Sequence, residues 1–151
     1  DGGFRYDVVD AVLAEQAGNP AGARRSVQQL QSAAAGEDWK TVLPAFARCV
    51  RITRDQRQRF SVQAKALTEN EEKALWAAVR KAEIALRNSP RKDVEALLAA
   101  FEPMIPTVNQ FFERVLVMSK KKVERENRLG ILQRIAALAA GIGDLSRLEG
   151  F

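Results

Sequence analysis

Histidine is absent from the 151 residues, and Cys49 is the only cysteine. These two absences exclude a disulfide framework, the usual zinc and haem ligand sets and any Cys/His nucleophile pair. Acid–base catalysis would fall to a carboxylate pair alone, and the adjacent Glu71 and Glu72 read as the charged start of a helix. No glycine-rich phosphate loop is present, because Gly141-x-Gly143 sits within a helical apolar stripe. Apolar runs are short, the longest being Ile135 to Ile142, well below a membrane span. The expectation is therefore no enzyme active site, no cofactor, no metal, no membrane partner and a reduced, cytoplasmic setting. The chain opens Asp1-Gly2-Gly3 with neither Met nor a signal-peptide pattern, and so reads as a fragment of a longer protein.

What is abundant is helical periodicity and positive charge. The length suits a single domain over residues 1–151, with enough chain to bury a core unaided. The net charge is +5, but its distribution says more than its size. Residues 46–65 carry six basic side chains against Asp55 alone, and residues 119–151 carry seven against four acids. Residues 1–45 and 66–118 are each slightly acidic. Charge gathered in two places points to a surface for an anionic partner.

Apolar residues recur at helical spacing almost throughout, with no sustained alternation, so the fold class is all-α, an antiparallel helical bundle of about six to seven helices. A first helix on Val9, Val12, Leu13 and Gln16 stops at Gly18-Asn19-Pro20. Pro20 then opens a second on Val27, Leu30 and Ala34, ended by Gly36. Trp39, Val42, Leu43, Phe46 and Val50 mark a third. Arg54 to Leu67 is aperiodic and predicts a loop or an irregular extension. Thr68 and Glu71 have capping-box spacing before a fourth helix on Leu75, Ala78, Val79, Ala82 and Leu86. Ser89-Pro90 has the form of N-cap and first-turn proline for a fifth, on Val94, Leu97, Leu98 and Phe101. Pro103 and Pro106 interrupt the chain, after which Thr107 or Asn109 leads into a sixth carrying Val108, Phe111, Phe112, Val115 and Leu116. Ser119 to Lys122 is a polar turn. The last helix is marked by Leu129, Ile131, Leu132, Ile135, Leu138, Ala139 and Ile142.

The candidate binding residues follow from charge. Arg48, Arg51, Arg54, Arg57 and Arg59 cannot all be paired locally with only Asp55 nearby, and Arg48, Arg51 and Arg54 drift slowly around one helix face. The guanidinium fork suits phosphate and also stacks on bases. The competing reading is a solvated face with local ion pairs. Phe60, amid this stretch, reads as an anchor to the core ahead of a base-stacking ring. Lys120, Lys121 and Lys122, continued by Arg125 and Arg128, form a second cluster at a helix start, where positive charge opposes the helix dipole. That cluster is equally readable as a solvated turn. Of Phe111 and Phe112 one or both belong to the core, as do Trp39 and Trp76, and Cys49 reads as a small buried residue.

Separated segments, in the right order along the chain, resemble the C-terminal anticodon-binding module of bacterial glycyl-tRNA synthetase β subunits. Phe111-Phe112-Glu113-Arg114-Val115-Leu116-Val117-Met118, followed by Asn127-Arg128-Leu129, is similar to the family's Phe-Phe-Asp-x-Val-Met-Val-Met and Asn-Arg-Leu. Phe4-x-Tyr6-Asp7-Val8-Val9-Asp10-Ala11-Val12-Leu13-Ala14 resembles the segment opening the same domain. Ala47-Arg48-Cys49-Val50-Arg51-Ile52 resembles its internal Arg-Val-x-Asn-Ile element, and Asp144-Leu145-Ser146 its Asp-Phe-Ser ending. The chain departs from the family at Lys120, Lys121 and Lys122, which replace an acidic turn, and at Arg51, which stands where Asn is expected. The resemblance implies a DALR-type helical domain that grips the anticodon stem-loop of glycine tRNA. It also implies partners in the remainder of the β subunit and in an α subunit that holds a class II aminoacylation site. The arginines would then hold phosphates in register, and Asn109 and Glu113 would supply base-reading contacts if the sixth helix faces the RNA. The alternative is a helical protein–protein docking module whose basic face meets an acidic partner or the rest of the synthetase.

Overall fold

The computed structural model describes residues 3–151, and the opening Asp1-Gly2 lies outside them. Seven α-helices and three single-turn 3₁₀ segments are formed, with no strand among the described residues. The α-helices are α1 (Tyr6–Gln16), α2 (Pro20–Ala34), α3 (Trp39–Thr53), α4 (Asn70–Asn88), α5 (Val94–Phe101), α6 (Ile105–Arg114) and α7 (Lys122–Ala137). The 3₁₀ turns are Ala64–Ala66, Glu102–Met104 and Leu145–Arg147. The all-α expectation is met, and the segment from Arg54 to Leu67 leaves α3 through a turn and runs as irregular chain into the first 3₁₀ turn.

The centre is α7, which packs against both α3 and α4, while α1 pairs with α2 and α4 with α5 and α6. Every residue of α7 from Asn127 to Gln133 is buried, as is Ile135. A helix buried all round has little amphipathic contrast, and the polar residues inside this one, Asn127, Arg128 and Gln133, are each hydrogen-bonded to another part of the chain. Phe101, Phe111, Leu30, Leu75, Leu132 and Ile135 are among the most buried large side chains, each worth ~1.5–3 kcal/mol relative to exposure. Phe46 meets Phe101 edge to face at 5.2 Å, tying α3 to α5.

Several helix starts differ from the sequence reading, each for a tertiary reason. The cap of α4 is Glu69 with Glu72, one residue on from Thr68 with Glu71. Glu72 Oε1 accepts from the backbone N–H of Glu69 at 2.8 Å and of Thr68 at 2.9 Å, while its other oxygen faces α7. A bond to another helix thus selects which glutamate closes the cap. The cap of α5 is Asp93, whose Oδ1 accepts from Ala96 N–H at 3.0 Å, and Ser89-Pro90 lies in the preceding loop. Gln29 of α2 sets that start by donating to Asp93 Oδ2 and accepting from Glu95 N–H. Helix α6 begins at Ile105 with Pro106 in its first turn, so Asn109 is interior to it. It ends at Arg114, leaving Val115 buried but Leu116 71% exposed. Leu13 is likewise exposed, whereas its neighbours Val8, Ala11 and Val12 are fully buried.

Cys49 is wholly buried on α3 and donates from Sγ to the Ala45 carbonyl at 3.5 Å. Burial pushes its thiol up to about 12, so the thiolate that reacts is not populated at ordinary pH. In the native protein an alkylating reagent at mildly alkaline pH should leave Cys49 unmodified, with full labelling on adding denaturant. Rapid labelling without denaturant would contradict this environment.

Candidate nucleic-acid interface

The arginine strip starts on the C-terminal half of α3 and continues into the irregular segment after it. Arg48 and Arg51 are on the helix, Arg54 is its C-cap, and Arg57 and Arg59 follow. All five side chains are exposed, and none joins an ion pair among the described residues. Asp55 is exposed beside them without engaging any of them. Two of the five rest on rings: the Arg48 guanidinium lies 4.3 Å from the centre of Phe112, and that of Arg51 lies 5.6 Å from Phe151. A ring beneath a guanidinium holds it flat and leaves its N–H fork and outer face open. Phe112 in turn meets Phe111, fully buried, at 5.6 Å. Core packing therefore orients Arg48 through one intermediate ring.

That contact also brings α6 to the border of the strip. Asn109 and Glu113 flank Phe112 in the helix and are both exposed.

The segment carrying Arg57 and Arg59 is held by one face of α7. Gln133 accepts from Phe60 N–H at 2.9 Å and donates to the Gln58 carbonyl at 2.9 Å, so its amide grips the backbone on both sides of Arg59. One turn and a half earlier, Asn127 does the same to Gln63, accepting from its N–H at 2.7 Å and donating to its carbonyl at 3.1 Å. Between them, Gly130 lets the chain come close, because a Cβ there would lie 2.8 Å from the Phe60 carbonyl oxygen. Asn127, Gly130 and Gln133 recur at three-residue spacing on one helix face and hold an otherwise unpaired strand of backbone. Phe60, half-buried, packs on the core beneath it. The sequence reading missed the roles of these three. Their signal was present: buried amides in an apolar stripe require partners.

The second cluster divides. Lys120, Lys121 and Lys122 are exposed, and none is in an ion pair among the described residues. Arg125 is half-buried and donates to the Ser119 carbonyl at 3.0 Å, bracing the turn. Arg128 is a correction to the sequence reading, which placed it in the cluster facing solvent. Its side chain is 6% exposed, its Nε donates to Glu72 Oε2 at 2.6 Å, and Nη1 donates to the Leu116 carbonyl at 2.7 Å. A guanidinium so enclosed joins α7 to α4 and to the end of α6, and has no face left for a ligand. It lies six residues beyond Lys122, where α7 has already turned into the core.

Fold and strip together define a helical module with a rigidly mounted cationic edge. The DALR anticodon binding domain family matches residues 42–145, more than half of the chain, and the chain belongs to that family. The matched span takes in the arginine strip, the α7 clamp and the lysine turn. The chain is 33% identical over 149 residues to the glycine–tRNA ligase beta subunit of Moorella thermoacetica, covering 97% of this chain and 21% of that protein. A similar match, 33% over 150 residues, is to the glycine–tRNA ligase beta subunit of Anaeromyxobacter sp., with the same coverage. Glycine–tRNA ligase, chloroplastic/mitochondrial 2, of Arabidopsis thaliana is 31% identical over 153 residues, covering all of this chain and 14% of that protein. The chain thus spans about a fifth or less of the length of the curated relatives it matches.

Proposed function

We propose that this chain grips the anticodon stem-loop of glycine tRNA as the anticodon-binding part of a glycyl-tRNA synthetase β subunit. Catalysis lies elsewhere, at a class II aminoacylation site on an α subunit, and the assembly works in the cytoplasm. The observation that carries this reading is the arginine strip: five exposed guanidinium groups, free of carboxylates, mounted on a helix, two rings and an amide clamp. Contacts of this kind hold phosphates and fix register, and their strength falls with salt. Base identity is left to groups at the margin, among which Asn109 offers both a donor and an acceptor and Glu113 an acceptor for an exocyclic amine.

Replacing Arg48, Arg51 or Arg54 singly with Ala should weaken binding of the glycine anticodon hairpin. Each change should also make the slope of log affinity against log salt shallower by about 0.7–0.9. Titrations at several salt concentrations measure both. Unchanged slopes in all three variants would remove the strip from the interface.

A second reading, a docking surface for the rest of a longer protein, is favoured by Leu116, Met118 and Val123. These three apolar side chains are exposed around the turn that carries the lysines, an arrangement more typical of a covered surface than of a solvated one. A gel shift that prefers the glycine hairpin over one with another anticodon supports the first, and equal binding of both hairpins counts against it.

A further inference from the structure

Where the arginine strip meets the C-terminal end of α7, the surface opens into a cleft of about 370 Å³. Arg54 and Arg59 line it together with the small side chains of Ala136 and Ala140. Glu15 and Asp144 also line it. The volume is near the lower end of the ~300–1,000 Å³ typical of small-ligand sites. It suits one nucleotide unit and is too small for a helix or a folded loop.

The chemistry of the walls is mixed in a particular way. Arg54 and Arg59 share this cleft with two carboxylates, yet neither arginine is ion-paired with them. Glu15 uses Oε1 to accept from Gly141 N–H at 2.8 Å, while Oε2 has no partner among the described residues. A cleft lined both by unpaired cations and by an open acceptor matches a ligand that carries an anion and N–H donors at once. The methyl-lined wall suits the flat face of a ring, since alanine has no rotamers to order on contact. Arg59 is already positioned, because Gln133, another residue of this cleft, holds the backbone on both sides of it.

We propose that this cleft is the seat of a single unpaired nucleotide extruded from the bound RNA, one whose base bears an exocyclic amine. Its phosphate meets Arg54 and Arg59, its ring lies on the alanine wall, and its amino group donates to Glu15. Uracil has no such amine and is the base disfavoured there. This inference rests on the RNA-binding reading above and adds a specific subsite to it.

The test fills the cleft without altering charge. Ala140 is exposed, so Ala140→Leu should leave the melting temperature unchanged while occluding the wall. The probes are the glycine anticodon hairpin and a set in which each loop position in turn is abasic. In the unmodified protein, one abasic position should weaken binding about five- to hundredfold, the effect of losing one stacked base. Ala140→Leu should weaken the intact hairpin by a similar factor and lose sensitivity to that same abasic position. Ala137→Leu, at a second exposed alanine of the cleft, provides the same test if Ala140→Leu lowers the melting temperature. Wild-type affinity in both leucine variants, or effects of leucine and abasic site that simply multiply, would overturn the cleft while leaving the arginine strip in place. Failure of the unmodified protein to bind the intact hairpin would overturn both.

Discussion

Replacing Arg128 with Met is expected to lower stability by ~3–5 kcal/mol, the cost of leaving one member of a buried ion pair without its partner. The partner left behind is Glu72, 1% exposed at the start of α4. Its carboxylate caps α4 through the backbone N–H groups of Thr68 and Glu69 and bonds Arg128 at 2.6 Å. Losing Arg128 also strips the Leu116 carbonyl of its donor, which loosens the exit from α6. A loss of that size is a large share of the ~5–15 kcal/mol that separates folded from unfolded domains. Chemical denaturation measures it, and a shift of less than ~1 kcal/mol would mean that water replaces the pair. Any fall in RNA affinity in this variant should track the unfolded fraction, because Arg128 has no surface to offer a ligand. Replacing Glu72 and Arg128 together with apolar residues should recover part of the loss, since no charge is then left buried alone.

The same pair makes the fold sensitive to acid. Burial alone would raise the Glu72 carboxyl, but the Arg128 hydrogen bond and the N–H groups of Glu69 and Thr68 outweigh it and hold the group below its ordinary value of 4.5. A carboxyl depressed in the folded state contributes stability that is complete above its unfolded value and disappears as pH falls through the folded one. Glu72 therefore contributes fully at neutral pH, and its contribution begins to fall only below about pH 4.5 and disappears as the carboxyl protonates in the folded state.

What the sequence revealed and what it concealed divide along one physical line. Local pattern located the helices, because an apolar stripe at helical spacing has few other ways to be buried. It also located Arg48, Arg51 and Arg54 on one helix end, where a single acid could not neutralise them. Pattern failed wherever a residue's state depends on a distant partner. Arg128 looked like a continuation of the lysine cluster, since nothing near it in the chain shows that Glu72, 56 positions earlier, faces it across the core. The α4 cap was displaced by one residue for the same reason, and the α5 start moved to Asp93 because Gln29 binds it from α2. Asn127 was seen as part of a family motif, yet its work is to hold Gln63, 64 residues away. The cleft beside Arg59 is assembled from four separate stretches of chain, so no run of sequence could display it.

Gly130 offers the sharpest separation of RNA binding from charge. In a helix interior, glycine is disfavoured by ~1 kcal/mol relative to alanine, so local preference alone would make its replacement helpful. Space decides otherwise: a Cβ would sit 2.8 Å from the Phe60 carbonyl oxygen and 3.2 Å from Val62 Cγ2. The first of these is backbone, which cannot rotate away as a side chain would. Gly130→Val adds two further carbons to that contact, and overpacking of this kind costs ~1–3 kcal/mol. The segment from Gln58 to Gln63 should relieve the strain by lifting off α7, weakening the four amide bonds that Asn127 and Gln133 make to it. Every arginine would remain, so the salt slope of hairpin binding should be unchanged. Affinity should nevertheless fall roughly tenfold or more, because Arg57 and Arg59 would have to be ordered on binding at ~0.5–1.5 kcal/mol for each side chain, with backbone ordering in addition. Trypsin provides an independent readout, as cleavage after Arg57 or Arg59 requires the segment to leave the helix. Faster cleavage with weaker binding at constant slope would show that α7 presents the arginines as well as supporting the core. Faster cleavage with unaltered affinity would show that the strip binds from a free chain, and that the clamp serves folding alone.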